Sequence, residues 1–262
     1  MVWSSMAYEN ILYSVENKVA KITMNRPDKL NAMSPGLTQD ILAGLKEAEA
    51  DNGVKAIVLT GAGRAFCAGG DISGFGISTY ESGFEIMRKA RPTVDTFMKL
   101  TKPLIGAVNG FCMGVGFSYA LLCDYILASD KAVFSAAFVN VGLAPDGGML
   151  YTLPHLVGMQ KAKEIALLGE KFDGQEACRI GIANQVVEHE KFEEAVKEIS
   201  EKFAGQSPIA MRYIKGILNR VLDMSFDELM ENMVLTQGIL FQSEDTKEAV
   251  DAFQNKRKPN FK

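Results

Sequence analysis

Two glycine-rich turns are the first places along the chain where the backbone itself could do chemistry. They occupy residues 66–72 and 109–116, and each follows a short apolar run typical of a buried strand. Glycine lets a backbone approach a ligand closely, so two turns that point N–H groups at one carbonyl oxygen would form an oxyanion hole. Because one such loop alone is more often only a tight turn, the hypothesis depends on both loops together.

A carboxylate that could move protons stands further along the chain. Asp146 lies between Pro145 and two glycines, just before an apparent helix. On local sequence alone it suits two roles equally well. It could accept N–H groups as the N-cap of that helix, or take a proton from a substrate as a general base.

Several other chemistries are disfavoured by what the chain contains. Its two histidines, His155 and His189, are too few for mechanisms that need several imidazoles, and no metal site is expected. The glycine-rich run at 61–66 lacks the third glycine of a dinucleotide-binding fingerprint, and no P-loop Lys-Ser or Lys-Thr pair follows a glycine cluster. We therefore expect no nucleotide to be cradled by these loops.

The hydrophobic pattern predicts an α/β fold that would position these segments. Helices are predicted at 35–50 and 117–123, and the pattern becomes mostly helical from residue 160 onward. A boundary near residue 200 divides the chain into a core, 1–200, and a helical segment, 201–262. Apolar runs predict strands at 11–15, 19–24, 56–60, 104–108, 125–128 and 183–187.

Two further segments are informative about surfaces. Residues 73–92, rich in glycine, serine and aromatic side chains, fit either a mobile lid or a partly unwound helix beside a substrate pocket. Apolar side chains recur at helical spacing between residues 226 and 241, and we interpret them as a subunit interface.

Composition limits the class of protein. The chain has 262 residues, of which 47% are hydrophobic, enough for a full core without disulfide bonds. Four cysteines without a C-x-x-C pair read as reduced thiols, and a net charge of −4 with interspersed signs argues against a nucleic-acid partner. No signal-peptide pattern and no membrane-spanning apolar run is evident, so we expect a soluble, cytoplasmic protein without a membrane partner.

Taken together and in order, the motifs carry a resemblance. The segments at 25–32, 68–72, 109–116 with 123–125, and 256–261 are similar to those of the enoyl-CoA hydratase/isomerase (crotonase) superfamily. This resemblance implies a spiral of ββα units with a C-terminal helical trimerisation segment. It also implies an acyl-coenzyme A thioester as substrate, no cofactor other than the coenzyme A of that substrate, and a homotrimer or dimer of trimers.

The resemblance also implies roles for individual residues. The amides of Ala68 and Val115 match the two oxyanion-hole donors, although Val115 stands where the family commonly has glycine. Phe241 and Lys256 match residues that approach the nucleotide from a neighbouring subunit. For Lys256, and for Lys29 in the coenzyme A path, the alternative interpretation is a solvated surface charge. The coenzyme A path matches Lys29, Leu30, Ala32, Ala68, Gly69, Gly70, Asp71 and Ile72.

The expected reaction follows from which acids are present. Family hydratases use two glutamates, and the matching positions here are Ser118 and Phe138, which cannot activate a water in that way. Family isomerases often carry a carboxylate where this chain has Asp146. The resemblance therefore favours isomerisation of an enoyl-CoA, with Asp146 as the proton shuttle.

Three alternatives stay open at this point. One is a hydratase acting on enoyl- or dienoyl-CoA with a non-standard acid/base set, and another is an acyl-CoA-binding protein without catalysis. The third is a thioester hydrolase, because residues 116–120 are one residue short of a G-x-S-x-G elbow centred on Ser118.

Overall fold

In this computed structural model, the structure describes residues 8–71 and 79–261. Within those ranges the chain forms ten β-strands: β1 (Ile11–Glu16), β2 (Val19–Met24), β3 (Ala56–Gly61), β4 (Ala65–Cys67), β5 (Leu104–Val108), β6 (Phe111–Met113), β7 (Tyr125–Ser129), β8 (Val133–Ser135), β9 (Phe172–Asp173) and β10 (Gln185–Val187).

Nine α-helices lie in the same described ranges, and most of them follow the strands in sequence. They are α1 (Pro35–Ala50), α2 (Tyr80–Lys99), α3 (Val115–Leu121), α4 (Met149–Leu168), α5 (Gly174–Arg179), α6 (Phe192–Ala204), α7 (Pro208–Leu218), α8 (Phe226–Leu240) and α9 (Glu244–Gln254).

The strands are arranged as a spiral. One sheet has the order β1-β2-β3-β5-β7-β10 and the other β4-β6-β8-β9. Each successive pair, β3 with β4, β5 with β6 and β7 with β8, therefore adds one strand to each sheet. Neighbouring strands are parallel in the run β3-β5-β7 of the larger sheet and in the run β4-β6-β8 of the smaller one. This arrangement confirms the predicted α/β spiral of repeated units.

Helix α1 shows how local sequence fixes these elements. Ser34 caps it by accepting the N–H of Leu37, and Pro35 occupies the first helical position, where its missing N–H costs nothing. The helix buries Leu37, Ile41 and Leu45, which recur at intervals of four residues on one face. The predicted range 35–50 agrees with the observed helix.

The predicted boundary at residue 200 falls inside a helix. Helix α6 runs from Phe192 to Ala204 and packs Phe192, Val196 and Ala204 against the larger sheet. Residues 205–207 connect α6 to α7, and Ser207 caps α7 by accepting the N–H of Ala210.

Candidate active site

The two glycine-rich turns lie against each other because their strands are neighbours. β4 and β6 are parallel and adjacent, so the turns that follow their carboxyl ends meet at one edge of the smaller sheet. A Cβ atom added to Gly114 would lie 3.4 Å from Gly69 Cα, and one added to Gly116 would lie 2.5 Å from the Cys67 carbonyl oxygen. Glycine is therefore required for this approach.

Gly114 also determines where helix α3 begins. Its backbone, at φ 52° and ψ −127°, suits glycine, and it forms the N-cap of a helix that starts at Val115 rather than at the predicted residue 117. The Val115 N–H is thus at the first helical position, where no intrahelical acceptor exists. Val115 is half-buried, and the role of its N–H as one donor of an oxyanion hole stays a prediction.

The prediction for Ala68 needs correction. Its N–H donates a hydrogen bond of 3.0 Å to the Leu30 carbonyl oxygen, so it is already engaged. Met33 donates to the Gly69 carbonyl and accepts from the Asp71 N–H, a parallel bridge that turns the N–H of the intervening Gly70 away from this partner. No acceptor for the exposed Gly70 N–H occurs among the residues that the structure describes.

Asp146 lines the wall of a cavity that also includes Val115. The cavity measures about 250 Å³ and is lined by Val115, Tyr119, Asp146 and Gly148 together with residues of α2. The Oδ1 atom of Asp146 is buried and has no hydrogen-bond partner within the described parts of the chain. Burial is the main cause that raises the pKa of this carboxyl above its usual value.

The structure does not support the capping role for Asp146. Helix α4 begins at Met149 with Gly148 as its N-cap, and no side chain accepts a bond there. Only the backbone carbonyl of Asp146 takes part, by accepting the Met149 N–H at 3.1 Å. The side chain lines the cavity instead of capping the helix, and a desolvated carboxylate in a cleft is a typical proton acceptor.

Other nucleophiles near the turns are inert or distant. The buried Cys67 thiol has a pKa raised to about 11 by desolvation, so it stays protonated at neutral pH. Ser118 is buried and donates to the Gly114 carbonyl at 3.4 Å, one turn back along α3. His189 instead contacts Ser129, and His155 packs edge-on against Tyr151. No histidine bonds to Ser118 within the described residues, which removes the basis for a serine hydrolase.

The segment at 25–32, part of which is matched to coenzyme A binding, is joined to the loop of the first glycine turn by hydrogen bonds and an ion pair. Leu30 and Asn31 both have positive φ, 50° and 55°, a conformation uncommon for non-glycine residues. Asn31 is fully buried and its amide donates to the carbonyls of Ala62 and Ala65, which holds the loop in place. Arg26 forms an ion pair of 3.1 Å with Asp71, so that carboxylate orders the loop.

The remaining predicted binding residues fall into three groups. Lys29 is exposed, and Leu30 and Ala32 are half-buried, beside the residue 68–71 turn. Phe241 and Lys256 are exposed on the C-terminal segment, Phe241 to 73%. Ile72 lies outside the described residues.

Sequence patterns missed two features of this site. They identified neither the Gly70 amide nor Tyr119, whose phenol lines the Asp146 cavity and has a pKa raised by burial and then by the charge of Asp146. Of the segment 73–92, predicted as a lid or a partly unwound helix, residues 80–92 belong to helix α2, which lines the cavity. Residues 73–78 lie outside the described residues. Within the described ranges, no cluster of potential metal ligands and no helix able to cross a membrane is found.

Comparison with known proteins agrees with this geometry. Residues 14–262 match the family model described as enoyl-CoA hydratase/isomerase. A short-chain-enoyl-CoA hydratase of Clostridium acetobutylicum is 35% identical over 254 residues, covering 97% of each chain. A 1,2-epoxyphenylacetyl-CoA isomerase of Escherichia coli is 34% identical over 257 residues, covering 97% of this chain and 98% of the relative.

A solved structure extends the likeness to three dimensions. The enoyl-CoA hydratase subunit I of Geobacillus kaustophilus has a TM-score of 0.92 at 36% identity, covering 97% of this chain and 98% of that one. The chain therefore belongs to the enoyl-CoA hydratase/isomerase family, whose enzymes act on acyl-CoA thioesters. The similar proteins include both hydratases and isomerases, so the choice between the two reactions depends on the site itself.

Proposed function

We propose that this enzyme moves the double bond of an enoyl-CoA by way of an enolate, with Asp146 as the proton shuttle. The observation that carries the proposal is the shared cavity of Asp146 and Val115. One cavity thus holds a desolvated carboxylate, whose Oδ1 atom has no hydrogen-bond partner among the described residues, and an amide at the start of a helix. A proton acceptor beside an anion-stabilising donor is what enolate chemistry needs.

The steps balance without water or a second acid. The Asp146 carboxylate removes a proton from C2 of a 3-enoyl thioester, and the electron pair passes through the carbonyl to give a dienolate. The same carboxyl then returns the proton at C4, which leaves the double bond between C2 and C3. Burial of Asp146 supports this role, because a raised pKa makes the carboxylate a stronger base than an exposed aspartate.

For the enolate oxygen, we assign the Gly70 and Val115 amides as the two donors. The contact between their turns at Gly69 and Gly114, and the exposed position of Gly70, support this pair over one that includes Ala68. Each donor of such a hole is typically worth about 3 kcal/mol of transition-state stabilisation. The valine side chain leaves this role intact, because the backbone supplies the hydrogen bond.

Hydration is the less favoured reaction. Phe138 is 7% exposed and packs in the main hydrophobic core, so it has no means of holding a water. The hydroxyl of Ser118 is directed to a backbone carbonyl. Neither position can replace a hydratase glutamate, which leaves Asp146 as the acid/base group that we assign.

We also propose a homotrimer or dimer of trimers in which a neighbouring subunit completes the coenzyme A site. Helix α8 buries none of its residues within its own chain. Its apolar side chains include Phe226 at 73% exposed, Val234 at 63% and Leu235 at 66%, a surface that a monomer would leave in water. In this assembly, Phe241 and Lys256 would reach the nucleotide end of another subunit's site.

The test of the reaction is proton exchange. The purified chain is incubated in deuterium oxide with 3-enoyl-CoA thioesters of several lengths, and label at C2 and C4 is followed by mass spectrometry while conjugation is followed by absorbance. Enolate formation exchanges protons even where net conversion is slow. An absence of exchange with every substrate would refute the isomerase, and release of free coenzyme A thiol would indicate a hydrolase instead.

A further inference from the structure

The loop that carries Asp146 has little of its own to hold the carboxylate in place. Gly147 and Gly148 follow it with positive φ values of 60° and 87°, so two permissive positions separate it from the helix. Helix α4 begins at Met149 without a side-chain cap, and Oδ1 of Asp146 has no hydrogen-bond partner among the described residues. The position of the carboxylate therefore depends on what the loop packs against.

The loop packs against one face of helix α3. A Cβ atom added to Gly147 would lie 2.8 Å from Ser118 Cβ and 3.6 Å from Tyr119 Cε1. A Cβ atom added to Gly148 would lie 3.4 Å from Leu122 Cδ2. Of these three side chains only Tyr119 is a rigid ring, and its Cε1 atom is bonded to the ring carbon that bears the hydroxyl.

The Tyr119 ring is itself held by two other helices. It is buried and packs against Phe97 of α2, with 5.0 Å between the ring centroids. Burial, and then the charge of Asp146, raise the pKa of Tyr119, and a hydrogen bond with the Thr38 side chain of α1 acts in the opposite direction. Because the Thr38 hydroxyl donates to the Ser34 carbonyl at 3.0 Å, its lone pairs are left to accept the phenol proton.

These contacts suit the phenol to a supporting role and not to that of a second base. With a raised pKa it stays protonated at neutral pH, so it cannot take a proton from the substrate. Its one proton is used in the bond to Thr38, and what it presents to the loop at Gly147 is the edge of the ring.

We propose that Tyr119 is a positioning residue, whose ring is fixed by Thr38 and in turn holds the Asp146 carboxylate at the cavity. The inference rests on the proposed function, because it takes Asp146 as the base. A reacting group has to be held within about 0.5 Å of its productive position, and a misplacement of about 1 Å can lower the rate about 10²-fold. The two hydroxyls should therefore affect turnover, and only through Asp146.

Two variants remove the same hydrogen bond from its opposite ends. Tyr119→Phe keeps the ring and its packing on Phe97, and Thr38→Val keeps the phenol. Each should lower kcat for a 3-enoyl-CoA at least about tenfold, with KM changed less than about twofold, because the thioester contacts are intact. The double variant should lose no more than either single variant, since both remove one interaction.

The matched control is Tyr8→Phe. The Tyr8 hydroxyl also donates to helix α1, at Glu47, but Tyr8 is not among the described residues that line the cavity. It should share a fall in melting temperature of about 2–4 °C with the two test variants and keep its kcat. Unchanged kcat in both test variants would overturn the proposal. So would a loss in Tyr119→Phe alone, because the phenol would then act on the substrate directly.

The pKa of the Asp146 carboxyl tests the positioning without turnover. It is followed by NMR of labelled carboxyl carbons and assigned with Asp146→Asn. Tyr119→Phe and Thr38→Val should both lower this pKa toward the ordinary value of about 3.9, because the released carboxylate reaches water. A pKa unchanged in both would refute the positioning role while the isomerase assignment stands. If the wild type shows no proton exchange but both variants lower the pKa, the isomerase fails and the positioning role is supported.

Discussion

Replacement of Asp146 by asparagine separates catalysis from stability at a single atom. The substitution keeps the volume and removes the basicity. Because Oδ1 of Asp146 has no partner in the described residues and the side chain does not cap α4, the exchange breaks no hydrogen bond of that atom. The free energy of unfolding should change by less than about 1 kcal/mol, since no bond of that size is lost.

The direction of any stability change also follows. Burial raises the pKa of Asp146 in the folded state above its unfolded value, so the folded protein binds the proton more tightly. This contribution to stability is present below the unfolded pKa and is lost as the pH rises through the folded pKa. At neutral pH the buried ionised carboxylate therefore costs stability. Asp146→Asn should melt at the same temperature as the wild type or higher.

Turnover should respond very differently. Loss of the proton shuttle should lower conversion of a 3-enoyl-CoA by at least about 10²-fold, the equivalent of about 2.7 kcal/mol in the barrier. The assay is the rate of conjugation, together with deuterium incorporation. Asp173→Asn is the matched control, because Asp173 caps α5 by accepting the Glu176 N–H at 2.8 Å, away from the cavity. Because asparagine caps a helix about as well as aspartate, this control should keep both its stability and its activity.

The opposite pattern would refute this reasoning. If Asp146→Asn kept full turnover and exchange while its melting temperature fell, the carboxylate would be structural and the acid/base group would lie elsewhere.

The remaining predictions concern the oxyanion hole, pH and assembly. Replacing the Gly70 N–H by an ester oxygen, through incorporation of the hydroxy acid, should lower kcat about 10²–10³-fold. The same change at Ala68 removes the hydrogen bond to the Leu30 carbonyl, so it should lower the free energy of unfolding by about 1 kcal/mol with little effect on kcat. Equal losses of kcat at both positions would contradict the choice of Gly70. On the acid side, kcat/KM should fall as the pH is lowered through the raised pKa of Asp146, because the protonated carboxyl cannot act as a base. The apparent pKa of this fall should lie above the ordinary aspartate pKa of about 3.9. An apparent pKa at or below that value would argue against Asp146 as the base. Light scattering at micromolar concentration should give a trimer or a hexamer, and a monomer would refute the interface.

Much of the fold could be predicted because its elements have clear periods. The strands at 19–24 and 104–108 and the helix at 35–50 agree with the predicted ranges, since each is a buried run or a regular amphipathic face. Helix α2 could not be decided from sequence, because Gly83 and Pro92 weaken its pattern. It is anchored instead by Phe97, which packs against Tyr119 at 5.0 Å between ring centroids.

The site was predictable as segments but not as atoms. The motif at 68–72 locates the turn to which we assign one donor, yet successive amides of an extended chain point in opposite directions, so the motif does not tell which amide is that donor. Only the pairing of Gly70 with Met33 decides which N–H faces away from the loop, and that pairing joins residues far apart in sequence. Local sequence leaves both roles of Asp146, helix cap and base, equally open. The structure removes the first, because Gly148 is the N-cap of α4 and no side chain accepts a hydrogen bond there.

The identity of residue 118 and the position of Asp146 are physically linked. A Cβ atom added to Gly147, which has a φ of 60°, would lie 2.8 Å from Ser118 Cβ, so the segment carrying Asp146 packs directly against this serine. A glutamate at 118 would extend from the same Cβ atom into that contact and compete for space with the backbone next to Asp146. A small residue on α3 therefore leaves room for the loop that carries Asp146, just before α4. In the reaction that we propose, the acid/base group lies on this loop and not on α3, so residue 118 has no group to activate water and the base that remains is placed to shuttle a proton.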